Sequence, residues 1–259
     1  MSLIRFLPKY AKGLLTCAYV FTVGVAKESN RLFIYQLCRR FGWNVDECPP
    51  EIPQIPQSRF FTADATVRLS QLEVAPGNVS LTELTVIAAI CAARRPETIF
   101  EIGTFDGRTT LNLVENSPPE TRIYTLDLPA NQIDETEHAL APGEDVFVRK
   151  RGSGARFVSS PFASRITQLY GDSARFDFFP YRRGIDLVFV DASHAYEYVL
   201  ADSRTALELL RPGGVILWHD YGTGDWPGVN RALNELHREE PRFARLRWIE
   251  NTSLVVLGP

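Results

Sequence analysis

The sequence has no excess of positive charge. Its 28 Lys and Arg face 31 Asp and Glu, for a formal net charge of −3. It therefore lacks the global basic field of a nucleic-acid binder. Cysteine is scarce: Cys17, Cys38, Cys48 and Cys91 are scattered and form no CxxC pair. Zinc and redox motifs are thereby unsupported, and reduced thiols of a cytoplasmic protein are expected. Internal repeats and low-complexity segments are absent too. What is present is 45% apolar and 23% charged residues over 259 positions. That composition suits a globular protein with a sizeable core, built as one large domain or one domain plus an extension.

Long apolar runs are also missing, with one near-exception. The uncharged stretch Gly13 to Ala26 lies between Lys12 and Lys27. As a helix it would span roughly 21 Å, short of a bilayer core of about 30 Å, so a single crossing is disfavoured. Basic residues before the run and Gly24-Val25-Ala26 at its end also fit a signal peptide. Against that stands the cytosolic cofactor inferred below. An apolar helix packed on the domain is favoured, with peripheral membrane contact as the minority reading. A homodimer interface is a further use for such a helix.

A Pro-rich stretch, CPPEIPQIPQ (Cys48 to Gln57), excludes helix and central strand and reads as a linker. Residues 1–79 are thus expected to be a helical extension with its linker, and residues 80–259 the main domain. In SLTELTVIAAICAARRP, Ser80 and Glu83 have capping-box spacing and Pro96 lies just past the helix end. Strands are expected at Thr98–Ile102, Arg122–Asp127, Arg165–Leu169, Ile185–Asp191, Val215–His219, Leu246–Glu250 and Ser253–Leu257. Helices such as Tyr196–Leu210 and Gly228–Glu239 lie between most of them. IDLVFVD and GVILWHD are nearly continuous apolar runs, as in a parallel sheet covered on both faces. Only Asn251-Thr252 separates the last two strands, which leaves room for an antiparallel hairpin alone. The fold class expected is α/β: a doubly wound, seven-stranded, mostly parallel sheet with an antiparallel C-terminal hairpin and an N-terminal helical extension.

Ligands of such sheets bind beyond the carboxyl ends of the strands. TIFEIGTFDGRTTLNLVEN places Gly103 and Gly107 there, where the backbone must turn tightly and a helix then begins. The spacing is E-x-G-x-x-x-G, with Glu101 in front, and not the G-x-G-x-x-G of a dinucleotide site. Asp127 ends the next strand, placed to accept ribose hydroxyls. The glycine pair alone would not outweigh an ordinary strand-to-helix turn; with Asp127 it does.

At these residues the sequence resembles the class I S-adenosylmethionine (SAM)-dependent methyltransferases, over about Ser80 to Gly258. More narrowly it resembles a bacterial O-methyltransferase-like group whose strands end in EIGTFDGRTT, YGDS, VFVDASHAYEYVLAD and LRPGGVILWHDYG. The resemblance implies a Rossmann-like methyltransferase with SAM as cofactor. Glu101, Gly103 and Gly107 would line its methionine part and Asp127 its ribose. Asp172, in YGDS, would lie near the adenine, although a helix N-cap is a common job for Asp at such a turn.

Asp191, His194, His219 and Asp220 should converge at one rim of the sheet. Any one of them is readily structural; four at neighbouring strand ends point to a site. A hydroxyl acceptor needs a base or a metal. In the base version His194 or His219 takes the proton, with Asp191 beside them. In the metal version Asp191 and Asp220 hold a hard cation such as Mg²⁺. Related sugar enzymes carry an acid where His219 stands, and imidazole suits transition metals better than Mg²⁺. Base catalysis with an optional metal is therefore favoured. Trp226 is the better pocket candidate, Trp218 the better core residue, and Tyr221 a further candidate wall. The basic segment with Arg149, Lys150, Arg151 and Arg156 lies in the long connection Leu128 to Ser164 and reads as solvated surface in preference to an acidic-acceptor site.

The function expected is SAM-dependent O-methylation of a small-molecule or sugar hydroxyl. Two other classes stay open: a nicotinamide-dependent oxidoreductase, disfavoured by the glycine spacing and terminal hairpin, and an inactive methyltransferase-like interaction or membrane-docked module. A nucleic-acid substrate is disfavoured by the charge and by the absence of an N/D-P-P-Y-type segment.

Overall fold

The computed structural model describes residues 3–27, 30–31, 33–34, 37–38, 48–61, 66–149 and 152–258. The chain forms two compact units, Met1–Glu47 and Cys48–Pro259. In the first, helix α1 (Leu3–Val20) is followed by a 3₁₀ turn, Val23–Ala26. Asn30 Nδ2 donates to Gly24 O at 2.8 Å and Arg31 Nη1 to Ala26 O at 3.0 Å, which caps the carbonyls of that turn.

The second unit holds one eight-stranded sheet. Its strands are β1 (Gln54–Ile55), β2 (Thr98–Ile102), β3 (Arg122–Asp127), β4 (Ile166–Tyr170), β5 (Ile185–Val190), β6 (Leu210–Trp218), β7 (Arg247–Ile249) and β8 (Val255–Leu257), in the order β1-β7-β8-β6-β5-β2-β3-β4. β8 runs antiparallel to β6 and β7, and every other pairing is parallel. The parallel run and the terminal hairpin match the sequence expectation; the strand count exceeds it by one. The extra strand, β1, comes from the Pro-rich segment expected to be a linker. Trp248 N donates to Pro53 O at 2.9 Å and Glu250 N to Ile55 O at 3.0 Å. Proline is tolerated there because only one side of an edge strand needs donors.

Period-2 alternation sorts the central strands onto two cores. Phe100, Val188, Val190, Ile216 and Trp218 face one side, with Val229 and Leu233 of helix α5 (Pro227–Glu239) and Val199 and Ala206 of α4 (Tyr196–Leu209). Ile99, Leu187, Phe189, Val215 and Leu217 face the other, with Leu84, Ile87 and Cys91 of α2 (Leu81–Arg94) and Leu111 and Val114 of α3 (Arg108–Glu115). Burial on both faces is why these strands read as unbroken apolar runs.

α2 starts where its sequence says it should. Ser80 Oγ accepts from Glu83 N, and Glu83 Oε2 accepts from Ser80 N at 2.8 Å, a complete capping box. In the order β4-β3-β2-β5-β6 the direction of winding reverses between β2 and β5, which opens a crevice at their carboxyl ends. Three ladder bonds continue just past the strands: Gly103 N to Leu126 O (2.8 Å), Asp191 N to Ile102 O (2.8 Å) and His219 N to Val190 O (3.1 Å). They hold Gly103, Asp191 and His219 side by side at the rim.

Candidate active site

The glycine turn is shaped by close packing. Gly103 has φ +100°, and a Cβ there would overlap the Asp191 carbonyl. Gly107, with φ +84°, immediately precedes α3, and its Cβ would meet the Phe157 ring at 2.6 Å. Only glycine satisfies both the backbone angle and the space at these two points. The segment around Gly154 lies directly on the turn: Gly154 N donates to Phe105 O (3.0 Å) and Arg156 N to Asp106 O (2.9 Å). Arg156 Nε also pairs with Asp106 at 2.7 Å, so this part of the basic connection is not the solvated loop expected. Arg149 is exposed; Lys150 and Arg151 lie outside the described residues.

Two acids flank the turn, and a third lies just past β4. Glu101 is fully buried between β3 and α3, its Oε2 accepting from Thr110 and Thr125, each at 2.5 Å. Its Oε1 has no partner among the described residues. Burial pushes this carboxyl up to about 8, against the two hydroxyl bonds and with the help of the Asp191 and Asp127 charges. Asp127 sits at the carboxyl end of β3, accepting from Ser153 Oγ at one oxygen and from Phe105 N at 3.5 Å at the other. Asp172 is well bonded: Glu137 N (2.7 Å), Ala174 N (3.0 Å) and the Tyr198 hydroxyl (2.8 Å) all donate to it. It clamps the turn after β4 to a neighbouring loop.

The acids and histidines of β5 and β6 do meet. His219 Nδ1 lies 3.2 Å from Asp191 Oδ1 and 3.1 Å from Asp220 Oδ2, while Nε2 lies 3.3 Å from Glu83 Oε2. His194 Nε2 lies 2.8 Å from Asp220 Oδ2 and its Nδ1 2.5 Å from Glu144 Oε1. The His194 ring stacks on Trp226, with centroids 4.1 Å apart and planes 15° from parallel. Asp220 has φ +65°, an unusual angle for a residue with a side chain. Aspartate tolerates it, and it sets the carboxylate between the two rings.

Burial alone would lower both imidazoles, but the surrounding carboxylates outweigh it. His194 is raised to about 9 by Asp220 and Glu144, and His219 is raised well above its ordinary range by Asp220 and Asp191. For Glu83 and Asp220 burial acts upward, yet the histidines hold both below the usual carboxylate range. The carboxylates thus hold both rings toward the charged form, and each ring nitrogen faces a carboxylate oxygen. Even with both rings charged, Glu83, Glu144, Asp191 and Asp220 leave the cluster formally negative. It also contains a metal-compatible set, since ligand atoms of Asp191, His219 and Asp220 all lie within 4.8 Å of one another.

Sequence reasoning missed two members. Glu83 carries a helix-cap signal, but its second carboxylate oxygen bonds Ser253 N and Oγ, both at 2.7 Å, and its first faces His219. Glu144 lies in the long connection, 50 positions from His194, with no local motif to mark it. Tyr221, expected as a pocket wall, is fully buried. Its hydroxyl accepts from Glu51 N (2.8 Å) and Ile52 N (3.0 Å) and donates to Asn234 Oδ1 (2.5 Å), so it anchors the segment leading to β1. Trp218 is buried in the core, donating Nε1–H to Ser203 at 2.9 Å.

Residues 100–221, which run from β2 through the charged cluster, match the family model of a methyltransferase domain. No curated protein sequence matches the chain. Among solved structures it is similar to the O-methyltransferase TomG from Streptomyces achromogenes, involved in tomaymycin synthesis and solved in complex with SAM. Identity there is 19%, over 78% of this chain and 98% of that one, with a TM-score of 0.50. It is also similar to CalS11, a calicheamicin methyltransferase, at 18% identity over 69% of this chain and 79% of that one, with a TM-score of 0.51. The fold is that of the Rossmann-like, class I methyltransferases. Residues 100–221 are thus similar to a methyltransferase domain, set within that fold.

Proposed function

We propose that the protein transfers a methyl group from SAM to a hydroxyl of a small-molecule acceptor. The observation that carries this is the placement of Asp127, the glycine turn and the Asp191–His219–Asp220 cluster on the adjacent ends of β3, β2, β5 and β6, inside the matched domain. Residues and cofactor fit. Burial favours the protonated form of Glu101, and a cationic donor such as the amino group of the methionine part, placed at its unpartnered Oε1, would draw the carboxyl back to the charged form. Asp127 offers its carboxylate to ribose hydroxyls, in competition with Ser153. Asp172 supports the adenine side by fixing its loop, since three donors already occupy its carboxylate. The formally negative cluster favours a sulfonium over a pyrophosphate, which weighs against the nicotinamide reading.

Methyl transfer needs acceptor oxygen, methyl carbon and sulfur in line, so the site works first by positioning. Trp226, stacked on His194, supplies a flat wall at the rim for the acceptor. The proton of the acceptor hydroxyl is the harder problem. Every ring nitrogen of the two imidazoles already faces a carboxylate, which weakens the simple base mechanism and favours the metal-assisted one. The donor set of two carboxylates and one imidazole fits a divalent cation, with a leaning toward transition metals. A bound cation would lower the pKa of the acceptor hydroxyl. For this, His219 must release the proton from Nδ1, while Glu83 keeps the ring oriented through Nε2.

The reading is tested with methyl-labelled SAM and a panel of catechol, phenol and sugar acceptors, before and after EDTA. Turnover that EDTA abolishes and Mg²⁺ or Mn²⁺ restores is the expected result. EDTA-insensitive turnover would return the proton to the His194–Asp220 pair. Absence of label transfer to every hydroxyl would remove O-methylation. Residues 1–47 are read as an extension outside the catalytic unit. Homodimer formation and peripheral membrane contact both suit its apolar helix.

A further inference from the structure

The chemistry above makes no use of α1, yet this helix has a pronounced pattern. Leu7, Tyr10 and Leu14 recur at helical spacing on one face, exposed by 52%, 52% and 54%. Lys9 and Lys12, three apart, fall on the other side, followed by Thr16 one turn later. The apolar surface does not stop at one stripe: Leu15, Tyr19, Phe21, Val23 and Val25 are exposed as well. Residues 1–27 carry Arg5, Lys9, Lys12 and Lys27 and no acidic side chain, although the whole chain is net −3.

Three kinds of occupant would cover such a face, and the pattern separates them. A transmembrane crossing is excluded for the described helices, none of which is long and apolar enough. A second copy of the helix would cover a narrow seam. Here the polar strip is the narrow part, and apolar side chains take most of the circumference. A surface that covers a wide apolar arc and also favours four basic residues without an acid is an anionic bilayer. We propose that α1 and the turn after it form an interfacial anchor. It lies in the plane of an anionic membrane, with Leu7, Tyr10 and Leu14 at the acyl boundary and Lys9 and Lys12 among the headgroups. This inference is independent of the methyltransferase reading, because it draws on residues 1–27 alone.

The test is co-sedimentation of the full-length protein with vesicles of phosphatidylcholine alone and with about one third phosphatidylglycerol, at low and high salt. Binding to the anionic vesicles, weakened by salt, is expected. Lys9→Glu with Lys12→Glu should weaken it at least about tenfold, since each basic residue near the surface counts for roughly fivefold. Leu7→Asp with Leu14→Asp should abolish it. A thermal melt of each variant shows that residues 48–259 remain folded, whatever their SAM affinity. Wild-type protein that is folded but stays with the supernatant on anionic vesicles would overturn the proposal. So would a dimer that Leu7→Asp with Leu14→Asp converts to monomer, in a protein that binds no vesicles.

Discussion

Asp127 and the two histidines carry the most specific claims at the scale of single residues. Asp127→Ala removes the acceptor at the end of β3 and is expected to weaken SAM binding by roughly 10- to 100-fold, the worth of hydrogen bonds to a charged group. An unchanged Kd by calorimetry would place the ribose elsewhere. His194 makes a pH prediction. Its pKa is raised from an ordinary 6.5 to about 9 by Asp220 and Glu144 once the cost of burial is overcome. A group raised on folding stabilises fully below its unfolded pKa and loses that contribution as pH climbs through the folded one. With chelator present, the melting temperature should therefore fall between pH 6.5 and 9, by roughly 5 °C for a chain of this size. His194→Gln should flatten that slope, and a variant with the wild-type slope would show that the ring is not charged. At this scale the sequence was informative about identity and silent about state. Asp191, His194, His219 and Asp220 were expected together and are together. That both rings would be saturated by acids required Glu83 and Glu144, which arrive from a helix cap and a distant loop.

At the scale of elements, legibility followed burial. β2, β3, β5 and β6 carry apolar residues on both faces, and a continuous apolar run survives any local context. β1 is two residues between prolines and owes its strand character to β7 alone, so no propensity could announce it. The long connection after β3 likewise resolves into short turns and four-residue helices fixed by tertiary contacts, among them Asp145–Val148 and Ala155–Val158. The strand-to-helix turn makes the sharpest prediction here. Gly103→Ala forces a side chain into the Asp191 carbonyl at a positive φ and should cost roughly 3 kcal/mol in urea unfolding, from strain and overpacking combined. Gly213 is the control. Its φ is +85°, but no atom lies within 4 Å of a Cβ built there. Gly213→Ala should cost only about 1 kcal/mol of backbone strain. Equal costs at the two positions would mean that β2 and β5 do not approach as closely as described.

At the scale of the whole molecule, the chain divides into residues 1–47 and 48–259. Both hydrophobic cores and the entire charged cluster belong to the larger unit. Deleting Met1 to Lys27 should leave SAM affinity within about twofold, an effect too small to reflect a lost contact. A soluble truncation that no longer binds SAM would show that the extension completes the site.

The crevice at the ends of β2, β3, β5 and β6 is the proposed SAM site. Calorimetric titration of the full-length protein with SAM and with S-adenosylhomocysteine, each with EDTA and with Mg²⁺, tests it most directly. One site per chain is expected for both ligands, with Kd on the order of micromolar. A folded sample that gives no heat of binding with either ligand would contradict it.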